Sequence, residues 1–129
     1  MQVIPGIKGE RSAVVTLELT ARHMGSGGLD VYATPAMIAL MEAAAVAALD
    51  PLLPEVQGSV GVALDVKHLA ATPLGLTVRA EAEVTAVDGK RVTFTVQAWD
   101  DRELIGEGTH TRYIIDTARF MERVSAKSA

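Results

Sequence analysis

Between Pro35 and Asp50 the chain reads "PAMIALMEAAAVAALD", and Glu42 is the one charge before the closing acid. Met37, Ile38, Leu40 and Met41 precede it, and Ala43, Ala44, Ala45 and Val46 follow it. Thr34 can cap a helix here and Pro35 suits its first position. Asp50, Pro51 and Pro54 stop it, so the pattern predicts a helix from Thr34 to about Leu49. A surface helix has a polar face. One that is apolar nearly all round must be covered on more than one side. The run is shorter than the about 20 residues that cross a bilayer, so that cover has to be protein.

The rest of the chain supplies it as strands. "SAVVTLELT" (residues 12–20) predicts a first strand, and "ARHMGSGGLDVYA" a polar, glycine-rich loop leading to Thr34. Beyond Gly58 the period changes to two. Val60, Val62, Leu64, Val66 and His68 share one parity, which predicts a strand with one apolar face. "LTVRAEAEVTAV" alternates with Val78, Ala80, Ala82 and Val84 inward. Asp88-Gly89 signals a hairpin, "RVTFTVQAWD" is the next strand, and "ELIGEGTHTRYII" is the last. Gly106 and Gly108 fall on one face of that last strand, where a second backbone can come close. A short helix and a tail follow. Short links between neighbouring strands force antiparallel pairing. One curved sheet of about five strands wrapping one central helix satisfies all of this. The expectation is an α+β hot-dog fold, one domain over residues 1–129, paired with a second copy as a dimer or a dimer of dimers.

Several functions are excluded. A net charge of −4 argues against nucleic-acid binding. No cysteine is present, which removes disulfides, thiol nucleophiles and thiolate metal sites. "MQVIPGIKGERS" has no secretory pattern, so the reading is a cytoplasmic protein with no membrane partner. "GSGG" (Gly25 to Gly28) lacks the spacing of a dinucleotide fingerprint. His23, His68 and His110 have no metal-ligand spacing, so no metal is expected.

Three residues can carry chemistry, each with a plain alternative. Glu42 shares a helical stripe with Ile38, Ala45 and Leu49, which puts its carboxylate inside or in a cleft. It is either a structural acid with a buried donor or a working one, since a buried unpaired carboxylate costs several kcal/mol (roughly, after relaxation). His68 faces the helix by strand parity, as a core residue or as half of an acid–base pair. Thr34 is an N-cap or a hydroxyl that a nearby base can activate. Eight residues, roughly 12 Å of helix, separate Thr34 from Glu42, so the two cannot meet directly within one chain. A compact site needs His68 between them or groups from a second copy. His110, on a strand with Thr109, Thr111 and Arg112, reads as structural.

"VYATPAMIALMEAAA", "GSVGVALDVKHLAATPLGLTV" and "LIGEGTHTRYII", at their spacing, resemble the fluoroacetyl-CoA thioesterase family of hot-dog proteins. That resemblance implies a dimer binding a CoA thioester at the subunit interface, with coenzyme A as part of the substrate and no other cofactor. It implies Thr34, Glu42 and His68 as the catalytic group and Gly61 as a contact to the acyl end. The fluoroacetyl-specific member has a longer loop before the Thr, carrying phenylalanines over the acyl pocket. Here "HMGSGGLDVYA" is short, glycine-rich and lacks Phe, so the loop is expected to be mobile and the choice of acyl group relaxed. The expected activity is hydrolysis of a small acyl-CoA. The alternatives are another CoA-thioester enzyme, such as a hydratase, and a non-catalytic acyl-CoA binder.

Overall fold

In the computed structural model, which describes residues 2–128, the apolar run forms one helix over the predicted span. Met1 and Ala129, included in the single-domain and tail readings, lie outside the described residues. The elements in order are β1 (Lys8–Val14), α1 (Ala21–Met24), α2 (Thr34–Leu49), β2 (Gln57–His68), β3 (Thr77–Asp88), β4 (Arg91–Trp99), β5 (Leu104–Asp116) and α3 (Thr117–Ser125). The five strands make one antiparallel sheet in the order β1-β3-β4-β5-β2. Helix α2 packs on β1, β2, β3 and β4. This is the α+β hot-dog layout, with the short C-terminal helix outside it.

The helix composition now has a reason. Met37, Met41 and Leu49 are fully buried against inward Val78, Val84, Val92, Phe94 and Val96. Fully burying a side chain of this size stabilises by about 1.5–3 kcal/mol each. The alanines serve close approach: a Cβ on Gly9 of β1 would run into the backbone of Ala44 and Ala48. Gly108 likewise lets β5 lie against the β2 backbone at Asp65 and Val66, and Gly106 leaves room for the Met37 thioether. With the 3-10 turn that follows it, Thr34–Leu52 is long and apolar enough to cross a bilayer by length and composition. In the fold it is the core helix.

Three expectations are corrected. The first strand is Lys8–Val14, not residues 12–20, and residues 17–19 form a 3-10 turn. β1 is a sheet edge, so its exposed Lys8, Glu10 and Arg11 face solvent and hide the strand from a hydrophobicity reading. The second concerns the loop before Thr34, which is tied down. α1 ends on Gly25 in the left-handed region, Arg22 pairs with Asp30 at 2.7 Å, and Tyr32 donates its backbone N–H to the Thr72 carbonyl.

The third is the parity of β2. The pairing with β5 shifts between Gly61 and Ala63. That bulge adds one residue, and one residue turns a strand over. Leu64, Val66 and His68 keep the inward face with Gly61 and Ser59. Val60 and Val62 fall on the outer face, where with Tyr113, Ile115, Phe120 and Val124 they line a groove of about 330 Å³ beneath α3.

Candidate active site

Thr34 is the first residue of α2, and the cap position belongs to Ala33, so the threonine hydroxyl makes no capping bond. It is turned instead to His68 at the end of β2, with Oγ1 2.8 Å from Nδ1. Both backbones are anchored. Ala33 donates its N–H to the Leu19 carbonyl, and Leu69, just after the histidine, donates to Ile105. His68 Nε2 is buried and has no hydrogen-bond partner among the described residues. Burial pulls the imidazole below its ordinary value, against a smaller opposing pull from the Ala70 backbone. A neutral imidazole 2.8 Å from a hydroxyl is the arrangement of a general base with its proton donor.

Glu42 is not part of this pair within the chain, and no hydrogen bond joins it to His68 among the described residues. Nor is it buried: its side chain is 38% exposed. Its Oε2 lies 3.4 Å from Nη1 of Arg112 and 3.9 Å from Nε2 of His110. Gly61 closes the group. A Cβ there would sit 2.5 Å from Glu42 Oε2, 3.1 Å from His110 Cε1 and 3.3 Å from Arg112 Nη1. The glycine thus lets three polar side chains meet against bare backbone. Arg112 is fixed by Ser59, donating from Nε to its hydroxyl at 2.8 Å and from Nη2 to its carbonyl at 3.0 Å. Ser59 in turn donates to Asp50 Oδ1 at 2.6 Å.

The candidate residues therefore fall into two groups, two candidate half-sites. Thr34 and His68 form one, and Glu42, Gly61, His110 and Arg112 form the other. Seven residues of β2 separate Gly61 from His68, roughly 20 Å of strand. Arg112 and His110 went unrecognised as partners of Glu42 because the bulge that brings them to Gly61 leaves no mark in the alternation. A signal existed, since an acid in an apolar helix calls for a cation, and Arg112 is an arginine on the inward row of β5 with His110. Among the described residues no group of three or more His, Asp or Glu side chains is placed to hold a metal ion.

Comparison with known proteins gives a consistent set of likenesses. The sequence model of the family "Fluoroacetyl-CoA-specific thioesterase" matches residues 15–118. The chain is 44% identical over 99 residues to the fluoroacetyl-CoA thioesterase of Streptantibioticus cattleyicolor, spanning 77% of this chain and 71% of that protein. A solved fluoroacetyl-CoA thioesterase superposes with a TM-score of 0.92 at 38% identity over 98% of both chains. A variant of such an enzyme in complex with acetyl-CoA superposes at 0.93, with 37% identity over 98% of this chain and 100% of that one. A Thermus thermophilus thioesterase superfamily member superposes at 0.88, with 30% identity over 98% of this chain and 96% of its own.

Proposed function

The chain belongs to the fluoroacetyl-CoA-specific thioesterase family, and on that premise we propose that it hydrolyses short acyl-CoA thioesters at a site shared between two copies of the chain. It is a thioester hydrolase of small acyl-CoA substrates. The observation that carries the catalytic reading is the 2.8 Å contact between Thr34 Oγ1 and His68 Nδ1. Neutral His68 takes the threonine proton as Thr34 Oγ1 attacks the thioester carbonyl. The tetrahedral oxyanion collapses, the carbon–sulfur bond breaks, and the imidazolium returns the proton to the departing CoA sulfur. Water, activated by the same imidazole, then releases the acid from Thr34.

For that cycle His68 carries its resting proton on Nε2, the atom left without a partner. A carboxylate there would fix the tautomer and stabilise the imidazolium. Glu42 is the open inward carboxylate of this fold, but it lies in the other half-site. A second copy supplies it. β2 is a free sheet edge on which Leu64 is 44% and Val62 53% exposed, and the side of α2 carrying Ile38, Glu42 and Val46 is only partly covered. Antiparallel pairing of β2 with the β2 of a second copy, about a two-fold near Leu64 or Asp65, brings Gly61 and Glu42 of one protomer beside the partner's His68. The composite site is then Thr34 and His68 from one protomer with Glu42, Gly61 and Arg112 from the other. Gly61 contacts the acyl end, where its missing side chain leaves space beside the carboxylate.

The test is a panel of acyl-CoAs followed by thiol release. The chain has no cysteine, so a thiol reagent reads only the coenzyme. Short acyl-CoAs should give stoichiometric free CoA, and acid quenching during turnover should trap the acyl group on the peptide carrying Thr34. Intact acyl-CoA after prolonged incubation overturns the enzyme reading. Free CoA without a trapped acyl-threonine transfers the attack from Thr34 to water.

A further inference from the structure

His110 is among the most deeply buried polar side chains of the chain, with 0% of its side chain exposed, and the thioester chemistry above makes no use of it. Its two ring nitrogens face different tasks. Nδ1 lies 2.9 Å from the carbonyl of Ala63, at the bulge of β2. A carbonyl only accepts, so Nδ1 carries the proton and donates. Nε2 lies 3.1 Å from Nη1 of Arg112. A guanidinium only donates, so Nε2 is the bare acceptor. The neighbours thus define one protonation state, the neutral Nδ1–H tautomer. The same Arg112 nitrogen reaches Glu42 Oε2 at 3.4 Å.

We propose that His110 is a positioning residue of the thioesterase site, which holds the β2 bulge that turns Gly61 inward and, only while neutral, steers Arg112 onto Glu42. The inference rests on the reading of Glu42 and Gly61 as groups of that site. It makes His110 a second histidine, beside His68, whose protonation slows the reaction.

The surroundings of the ring show why. Phe94 of β4 stacks on it, with centroids 6.1 Å apart and planes 26° from parallel, and Gly61 and Leu64 of β2 lie across from it. Two charged groups face it: Arg112 from its own strand and Glu42 from α2. A proton on Nε2 would set an N–H against the N–H of Arg112, and a positive charge against a guanidinium held at Ser59. The Nδ1–H bond to the Ala63 carbonyl, which a charged ring keeps, and attraction to Glu42, the more distant of the two charges, oppose this. Burial, the largest influence, favours the neutral ring. Protonation would therefore push Arg112 from Nε2 and loosen its hold on the carboxylate.

Two variants separate the ring's tasks. His110→Asn places an amide at the Nδ1 position, keeping the donor to Ala63 and losing the acceptor for Arg112. His110→Gln places its carbonyl near Nε2, keeping the acceptor and losing the bond to the bulge. The measurement is log kcat/KM against pH for acetyl-CoA hydrolysis, with fluorescence of the single tryptophan, Trp99, confirming that the protein stays folded. Two histidines that both work best neutral give an acid limb steeper than a slope of one in the wild type, and either variant should lower it to about one. In His110→Asn, kcat should fall about ten-fold with KM nearly unchanged, and His110→Gln should recover part of that loss. A wild-type slope of one, or a His110 variant with the wild-type slope and kcat, overturns the proposal while leaving the thioesterase reading intact. Ring nitrogen NMR of the wild type decides the same point without turnover. The Nδ1–H tautomer at neutral pH supports it, and an Nε2–H tautomer or a charged ring overturns it. A folded wild type that hydrolyses no acyl-CoA would fail the functional reading, and the NMR result would still decide the hold of His110 on Arg112.

Discussion

Within one chain His68 has a hydroxyl 2.8 Å from Nδ1 and a buried Nε2 with no hydrogen-bond partner among the described residues. His68→Ala should lower kcat/KM about 10²–10⁴-fold, the usual contribution of a general acid–base group, with a small change in thermal midpoint. Wild-type turnover by that variant would return His68 to the core. Its pKa, like that of His110, is lowered by burial from the ordinary value near 6.5. A base that is harder to protonate folded than unfolded adds stability above its unfolded value and loses that stability as pH falls through its folded value. Activity should thus be flat at neutral pH and fall on acidification, together with stability. Gly61→Ala tests the other half-site. Its methyl would sit 2.5 Å from Glu42 Oε2, so the carboxylate must leave Arg112. Turnover should fall at least ten-fold while the melting temperature moves by only a few degrees (about 1–2 kcal/mol). Unchanged kinetics would mean that the space at Gly61 has no part in the reaction. At this scale the meeting of Thr34 and His68 was legible, because a hydroxyl at a helix start and an inward histidine are visible as residue types. The company of Glu42 was not. An acid in an apolar stripe announces that it needs a partner, but the partner came from a strand 70 residues away.

Elements were legible where one face was buried. α2 begins and ends where its prolines and apolar run place it, and the β3–β4 hairpin turns at Gly89, with φ +62. They were illegible at edges and irregularities. β1 is an edge strand whose Lys8 and Glu10 pair with charges on β3, so its charged residues looked like loop, and the bulge in β2 reversed the face of Val60 and Val62 without altering composition. The segment from Ala21 to Ala33 is both. Its glycines suggested mobility, yet the Arg22–Asp30 pair and the bridges of Tyr32 and Val31 to neighbouring chain fix its ends. Only Gly25 needs its left-handed conformation, at φ +82. The fixed frame brings Tyr32 inside, where burial pushes its phenol up to about 12, and holds no phenylalanine. With no phenylalanine to lid the acyl end in the proposed site, selection would rest on the small space at Gly61. Hydrogen and fluorine differ in size by less than a methylene, which itself is worth only about 1–3 kcal/mol in a tight pocket. The ratio of kcat/KM for fluoroacetyl-CoA to that for acetyl-CoA should therefore lie within about ten-fold of one. A ratio of many thousands would show that the groups around Gly61 read fluorine without help from the loop.

At the scale of the whole molecule the sequence stated a need that one chain does not meet. A helix apolar on every side asked for cover on every side, and the sheet covers Met37, Met41, Ala44, Ala48 and Leu49 but leaves Ile38, Glu42 and Val46 partly open. Glu42, of one candidate half-site, stands in that same gap. If a second copy fills it, catalysis and assembly are one problem, and chains with different defects should repair each other. Take one chain carrying His68→Ala and another carrying Glu42→Gln. Each alone builds dimers in which both sites lack a group. In a mixed dimer, one site lacks both groups. The other combines the intact His68 of the second chain with the intact Glu42 of the first. Unfolding and refolding the two together at random makes half the dimers mixed, each with one whole site, so activity should recover to about a quarter of wild type. Light scattering on the same samples should give a mass of at least two chains. If the mixture stays as inactive as its parts while the dimers form, Glu42 and His68 of a single chain must serve the same thioester, and α2 or β2 must move to bring them together.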